Sequence, residues 1–230
     1  MIKLSVIIPT FNESDNICKL LDHLLMSKTI QSEIIVADGG SSDGTLTCCK
    51  KYPSIILLKC PKKGRAAQMK HALKVAKGTF FYFIHADTLP PSSWESDIKK
   101  STLNNCEIGG FRFKFDSNRP LLKFNSWMTR INISSFRGGD QSFFVSKTCY
   151  NQIGGFSDVE IMEEYDLFRK AKRKGYNYCL IQKDTLVSAR KYDNNSYLRV
   201  NIENFLAMVK FKLGVSDRKI KERYSRKISR

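Results

Sequence analysis

The sequence has no CxxC pair, and its seven cysteines (Cys18, Cys48, Cys49, Cys60, Cys106, Cys149, Cys179) are scattered and odd in number. That argues against a zinc site or a disulfide framework and predicts reduced, mostly buried thiols. No run approaches the roughly 18 apolar residues that span a bilayer. The opening Met1-Ile2-Lys3-Leu4-Ser5 enters a strand without the charged-then-apolar layout of a secretory leader. The expected location is therefore the cytoplasm, with peripheral contact at the inner membrane face as the only membrane option. No GxGxxG follows a strand, so a dinucleotide fingerprint is absent. Acid is scarce: 22 Asp and Glu face 39 Lys and Arg, a formal net charge of +17. Such a surplus favours anionic partners, whether nucleotides, nucleic acid or an anionic membrane.

What is present is a series of short apolar strands, each stopped where polar residues follow. Leu4-Ser5-Val6-Ile7-Ile8 is closed by Pro9, with Thr10-Phe11-Asn12-Glu13 as the loop beyond it. Ile17, Leu20, Leu21, Leu24 and Leu25 keep the spacing of an amphipathic helix. Glu33-Ile34-Ile35-Val36-Ala37 is the next strand, which predicts a βαβ unit, a parallel sheet and a right-handed crossover. A third strand over 54–59 leads through Lys62-Lys63-Gly64-Arg65 into a helix with Ala66, Met69, Leu73 and Ala76 on one face.

The central strand is Phe80-Phe81-Tyr82-Phe83-Ile84, apolar throughout and so buried on both faces. His85 and Asp87 follow it on one side of the pleat, where ligands of open α/β sheets bind, and form a candidate metal or phosphate site. A helix over about 92–103 completes a Rossmann-like half. Beyond Asn105 the order changes: an alternating strand at Gly109–Phe115, an apolar helix at 119–134, a strand from Gly139 to Val145, then Gly154-Gly155-Phe156 and a helix ending near Gly175.

Asp38 closes the second strand before Gly39 and Gly40, where backbone can approach a ligand closely and an acid can accept from a base or ribose. Asp43 reads as the cap of the following helix. Arg65, at a glycine turn and helix N-terminus, suits phosphate oxygens. Glu160, Glu163, Glu164 and Asp166 crowd together in a basic chain. A helix N-terminus accounts for one or two of them, and a general base at the mouth of a site accounts for the gathering. From Asn195 onward ten Lys and Arg face three Asp and Glu, around a helix bearing Leu198, Ile202, Phe205, Leu206, Val209 and Leu213. That stripe is expected to pack on its own domain or in a dimer contact, with an anionic membrane as the alternative.

Six motifs occur in order: Ser5–Glu13, Asp38–Thr45, Gly64-Arg65-Ala66-Ala67-Gln68-Met69, His85-Ala86-Asp87-Thr88-Leu89-Pro90, Gly139-Asp140-Gln141 and Gly154-Gly155-Phe156. Over about 4–191 the chain resembles the family 2 glycosyltransferases, and more narrowly a small soluble bacterial subgroup with His-Ala-Asp in place of DxD. The resemblance implies a single-domain α/β GT-A fold at 1–194. A nucleotide-binding half spans about 1–104 and a mixed-sheet acceptor half 105–194, with a basic amphipathic helical segment at 195–230.

It further implies that Pro9, Thr10, Phe11, Asn12, Glu13, Asp38, Arg65 and His85 hold the nucleotide of a nucleotide-sugar donor. Asp87 would ligate a divalent metal, Mn²⁺ or Mg²⁺, and Asp140 and Gln141 would face the donor sugar or the acceptor. The catalytic base falls on Glu164, in a Glu163-Glu164 pair where the family has Glu-Asp, with Asp166 as the fallback. The implied reaction is inverting, metal-assisted transfer to an acceptor hydroxyl, with lipid-linked acceptors among the candidates and no nucleic-acid partner. The competing readings are a nucleotide-sugar-binding homologue of weak activity and a basic nucleic-acid-binding protein. Against the second, the acidic cluster would repel phosphates.

Overall fold

Alternation along the first strand decides which layer each side chain enters. The computed structural model describes residues 3–28, 32–130 and 141–228. In β1 (Leu4–Thr10), Leu4, Val6 and Ile8 enter one core layer and Ile7 the other. The first layer is covered by α1 (Ser14–Ser27), through Ile17, Leu20, Leu21 and Leu24, and by α4 (Trp94–Leu103), through Trp94 and Ile98. The second is covered by α3 (Arg65–Leu73), α6 (Lys147–Gln152) and α7 (Glu163–Arg173), with Met69, Cys149, Leu167 and Phe168 turned inward.

β1 pairs in parallel with β2 (Glu33–Asp38) and β4 (Phe80–Phe83), and β2 with β3 (Ile56–Lys59). A five-residue helix, α2 (Thr45–Cys49), lies between β2 and β3. The expected Rossmann-like half is therefore present. The sheet has eight strands in the order β3-β2-β1-β4-β7-β6-β8-β5. Its second half comprises β5 (Thr88–Leu89), β6 (Ile108–Phe115), β7 (Phe143–Ser146) and β8 (Tyr178–Val187). β7 runs antiparallel to both β4 and β6, and β8 returns parallel to β6. Tyr82 of β4 stacks on Trp94, ring centroids 5.5 Å apart, which fixes α4 over the central strand.

Phe113, Phe115, Leu122, Val187, Tyr192, Val200 and Ile228 form a third cluster. It docks α5 (Pro120–Met128), α8 (Tyr197–Lys212) and α9 (Asp217–Lys227) on the end of β6 and β8. The helix expected over 119–134 is α5, and the part of that span beyond Arg130 lies outside the described residues.

Three expectations need correction. First, α8 does not pack through its apolar stripe: Val200, Glu203 and Ala207 face the domain, and Leu198, Ile202 and Phe205 are each more than half exposed. An ion pair explains the choice, because Glu203 takes both Arg223 Nε and Nη2 of α9 at 2.9 Å.

Second, four cysteines are paired, Cys18 with Cys48 and Cys106 with Cys179, at Cα separations of 5.9 and 6.2 Å. The partners lie 30 and 73 residues apart, on α1 and α2 and on the neighbouring segments of β6 and β8, a pairing that spacing cannot reveal. Among the free thiols, burial pushes Cys149 up to about 12 and Cys49 and Cys60 to about 11. None is a poised nucleophile.

Third, β4 ends at Phe83, so His85 and Asp87 sit on a turn rather than on one side of a pleat.

Candidate active site

The carboxyl ends of β1 and β2 carry two loops that lock together. Asn12 accepts from Ser42 N–H at 2.9 Å, while Asn12 N–H donates to Ser41 Oγ at 2.9 Å. Glu13 N–H donates to Thr45 Oγ1 at 2.8 Å. Asn12 takes φ +52°, a left-handed conformation in which asparagine is enriched. Asp43 ties the loops from below, accepting from Ser14 and Thr45 N–H at 3.1 and 2.9 Å. Burial raises its carboxyl, but the hydrogen bonds from Thr45 and Ser14 outweigh that and hold it at about 2. The capping role expected for Asp43 thus extends to two helices.

Asp38 Oδ2 accepts from Gly40 and Ser41 N–H at 2.9 and 3.0 Å. Its buried Oδ1 has no hydrogen-bond partner among the described residues. A carboxyl oxygen left so is an acceptor waiting for a donor N–H or O–H. Gln68 braces the floor, donating from Nε2 to Thr10 O and Ala37 O, both at 2.7 Å. A Cβ on Gly39 would stand 3.0 Å from the Gln68 amide, which explains glycine at that position. Lys63 Nζ lies 3.3 Å from the centroid of the Phe11 ring, so the loop before α3 closes on the loop after β1.

At the end of β4 the two motif residues part company. His85 Nε2 lies 3.2 Å from Glu164 Oε1. Asp87 Oδ2 lies 3.0 Å from Arg190 Nη2, and the same nitrogen bonds Glu13 Oε1. Arg190 opens a single 3-10 turn after β8. No sequence pattern singled it out, being a lone arginine 177 residues from Glu13 and 103 from Asp87.

The acidic cluster is not a solvated helix end. Glu163, Glu164 and Asp166 are all buried at the start of α7. Met162, just before them, takes φ +66°, a strained conformation for a long side chain that aims this turn inward. Glu163 Oε1 pairs with Arg65 Nε at 2.9 Å. Asp166 is committed on both oxygens, to Ser157 Oγ at 2.6 Å, Arg169 Nη2 at 2.8 Å and Lys170 Nζ at 3.1 Å. Although burial raises Asp166, those hydrogen bonds hold its carboxyl below the usual range. Glu164 differs. Burial pushes its carboxyl up, and His85 and Arg65 offset only part of the rise. Burial also depresses the His85 imidazole, but the facing Glu164 carboxylate raises it overall.

Among the expected site residues, Thr10, Phe11, Asn12, Glu13, Asp38, Arg65, His85, Asp87, Glu163 and Glu164 are joined by the contacts above, whereas Pro9 does not close β1 as expected but lies within it, paired in register with Ala37. Gln141 is buried, with no partner on Oε1 among the described residues. Asp140 lies outside the described residues. Among the described residues no three His, Cys, Asp or Glu side chains converge as a metal cluster. Glu13 and Asp87 do converge on one guanidinium nitrogen. Two hard carboxylates of that kind, completed by phosphate oxygens, fit Mg²⁺ or Mn²⁺.

Residues 5–162 match the family model of glycosyl transferase family 2. The chain belongs to that family. A relative from Methanococcus voltae is 26% identical over 178 residues, covering 71% of this chain and 52% of its own length. It is named a dolichyl N-acetyl-alpha-D-glucosaminyl phosphate 3-beta-D-2,3-diacetamido-2,3-dideoxy-beta-D-glucuronosyltransferase. Dolichol-phosphate mannosyltransferase of Pyrococcus furiosus is 33% identical over 113 residues, 46% of this chain and 32% of that one. This chain thus spans about half the length of the first of these relatives and about a third of the second.

The fold is GT-A. The mannosyltransferase PcManGT from Pyrobaculum calidifontis, solved with GDP-Man and Mn²⁺, superposes with a TM-score of 0.68 at 20% identity, over 90% of this chain and 62% of that one. S. aureus TarS 1-349 in complex with UDP-GlcNAc gives a TM-score of 0.68 at 17% identity, over 94% and 67%.

Proposed function

We propose that this family 2 member is an inverting glycosyltransferase that moves a sugar from a nucleoside-diphosphate donor to an acceptor hydroxyl, with Glu164 as general base. The observation that carries the reading is the buried Glu164 carboxylate, held by His85 from the end of the central strand, beside a loop pair that leaves the Asp38 oxygen open. Asp38 and the loop from Pro9 to Glu13 bind the base and ribose. Arg65 stands at the diphosphate, and Gln141, with Asp140, meets the sugar or acceptor.

Glu164 takes the proton of the acceptor hydroxyl as its oxygen bonds to the anomeric carbon. The bond from that carbon to the phosphate oxygen breaks on the opposite face, and the electron pair leaves with the diphosphate. A divalent ion held by Asp87 supplies Lewis-acid stabilisation of that leaving group when bound. Glu163 keeps Arg65 in place, and Asp166 holds the first turn of α7.

The acceptor side favours a lipid-linked substrate at an anionic membrane. On α5 Leu121, Phe124 and Trp127 are exposed, as is the stripe of α8, and a cavity of about 530 Å³ lies between the starts of the two helices. Residues 117–139 carry Arg119, Lys123, Arg130 and Arg137 and no acid. Trp, Phe and Leu among basic residues are the composition of a helix that lies in a bilayer interface. Two copies joined through this face would set like charge on like charge. Among the described residues no helix is long and apolar enough to cross a membrane.

The test is a thermal-shift panel of UDP, GDP, their common sugar conjugates and a short DNA, with and without Mn²⁺. A ligand at a hundredfold excess over Kd adds about 2.7 kcal/mol to stability. A shift with one nucleotide, lost in Asp87→Ala, is expected. A shift with DNA alone, or with no nucleotide, overturns the reading.

A further inference from the structure

The guanidinium of Arg190 occupies a place where two carboxylates meet. Glu13 comes from the loop after β1 and Asp87 from the turn after β4, and both reach the same nitrogen, Nη2. Two carboxylates brought so near repel unless a cation lies between them. The backbone beneath Arg190 is fixed. Ser188 N–H donates to Asp87 O at 3.1 Å, Ala189 N–H to Asp116 Oδ1 at 2.6 Å, and β5 pairs with β8 just before. The side chain itself is 47% exposed, against 16% for Glu13 and 26% for Asp87. The arginine can therefore leave without the fold changing. His85 offers Asp87 no alternative, since it is turned to Glu164.

We infer that Glu13 and Asp87 form a cation seat for which Arg190 and a divalent ion compete. With no donor present Arg190 fills the seat and keeps a divalent ion out. A donor diphosphate gives the guanidinium a new anionic partner, suited to its fork of N–H groups. The seat then passes to the ion that enters with the diphosphate. Loading is in this way ordered: metal alone binds weakly, and metal with diphosphate binds well. The inference rests on the proposed use of Asp87 at the donor diphosphate and adds Glu13 and Arg190 to it, Glu13 as a second carboxylate at the ion rather than a nucleotide contact.

The experiment is a titration of Mn²⁺ read by the electron paramagnetic resonance of the free ion, without nucleotide, on wild type, Arg190→Gln and Arg190→Lys, with folding checked by circular dichroism. Removing the internal competitor should tighten Mn²⁺ binding about tenfold in Arg190→Gln. Arg190→Lys should lie between that variant and wild type, because lysine keeps the positive charge but its shorter side chain brings it less fully into the seat. It carries the comparison if Arg190→Gln does not fold. Adding Glu13→Gln to either variant should cancel the gain. Equal or weaker Mn²⁺ binding in the Arg190 variants overturns the seat. Nucleotide binding is read separately by thermal shift with UDP and GDP. A nucleotide shift without a gain in Mn²⁺ affinity rejects the seat and leaves the transferase reading. A gain in Mn²⁺ affinity without any nucleotide shift supports the seat and rejects the transferase reading.

Discussion

His85 Nε2 stands 3.2 Å from Glu164 Oε1, joining the turn after the central strand to the first turn of α7. The contact ties these two turns together and offsets part of the rise in proton affinity that burial gives the proposed base. Glu164→Gln should reduce turnover by about 10²–10⁴-fold while leaving donor affinity within a factor of about two. Activity requires the ionised carboxylate, so it should rise with pH through the raised Glu164 value. Removing the histidine contact leaves burial less opposed, so His85→Asn should move this acid limb to higher pH. A pH profile of kcat in His85→Asn that overlays wild type would reject Glu164 as the base.

Asp38 offers a second, independent readout. Its Oδ2 is spent on Gly40 and Ser41, and Oδ1 is open. Asp38→Asn can keep the turn but replaces the open anionic acceptor with an amide. Nucleotide affinity should fall by about 10–100-fold, the worth of one hydrogen bond to a charged group, with Tm little changed. Calorimetric titration with the preferred nucleoside diphosphate decides it, and unchanged affinity removes Asp38 from the donor site.

Asp43 makes a prediction about acid stability. Its folded value is near 2 against an unfolded value near 3.8. The stabilisation is therefore complete above the unfolded value and is lost as pH falls through the folded one. Asp43→Ala should cost about 1 kcal/mol at neutral pH, as losing a capping group does. The gap to wild type should narrow between pH about 4 and 2. Thermal melts across that range test it, and a gap independent of pH would mean the carboxylate charge is irrelevant.

The exposed face of α5 and α8 predicts binding to vesicles containing phosphatidylglycerol and little binding to neutral phosphatidylcholine. Phe124→Ser with Trp127→Ser should weaken co-sedimentation about tenfold or more, given the apolar area withdrawn. High salt should weaken it further. Binding unchanged by the double substitution would place the contact elsewhere.

Much of the donor half was legible in the sequence because local rules agree there. Apolar runs ending in Pro9, Asp38 and His85 gave the parallel strands, and Gly39-Gly40 after a strand flagged Asp38. β8 was harder, since Gln182, Lys183 and Asp184 break its apolar pattern, and a bulge between Phe111 and Arg112 of β6 shifts its register. The outward turn of the α8 stripe was hidden because periodicity shows that a helix has a face, not which neighbour takes it. Here the Glu203–Arg223 pair decided. Arg190 carried no local signal at all, and only the return of the chain past β5 brings it to Asp87.

The reversed direction of β7 has a consequence for how such a protein diversifies. Phe143 pairs with Phe83, so the chain enters this strand at the edge where the central strand ends, and Gln141, two residues before it, comes from a segment that takes no part in β1–β4. Under the proposed function, the part that chooses the recipient joins the part that holds the activated sugar along the β4–β7 pair, with β5 and β8 as a second junction. Exchanging the stretch upstream of Phe143 between relatives would re-address the product while leaving the sugar supply untouched.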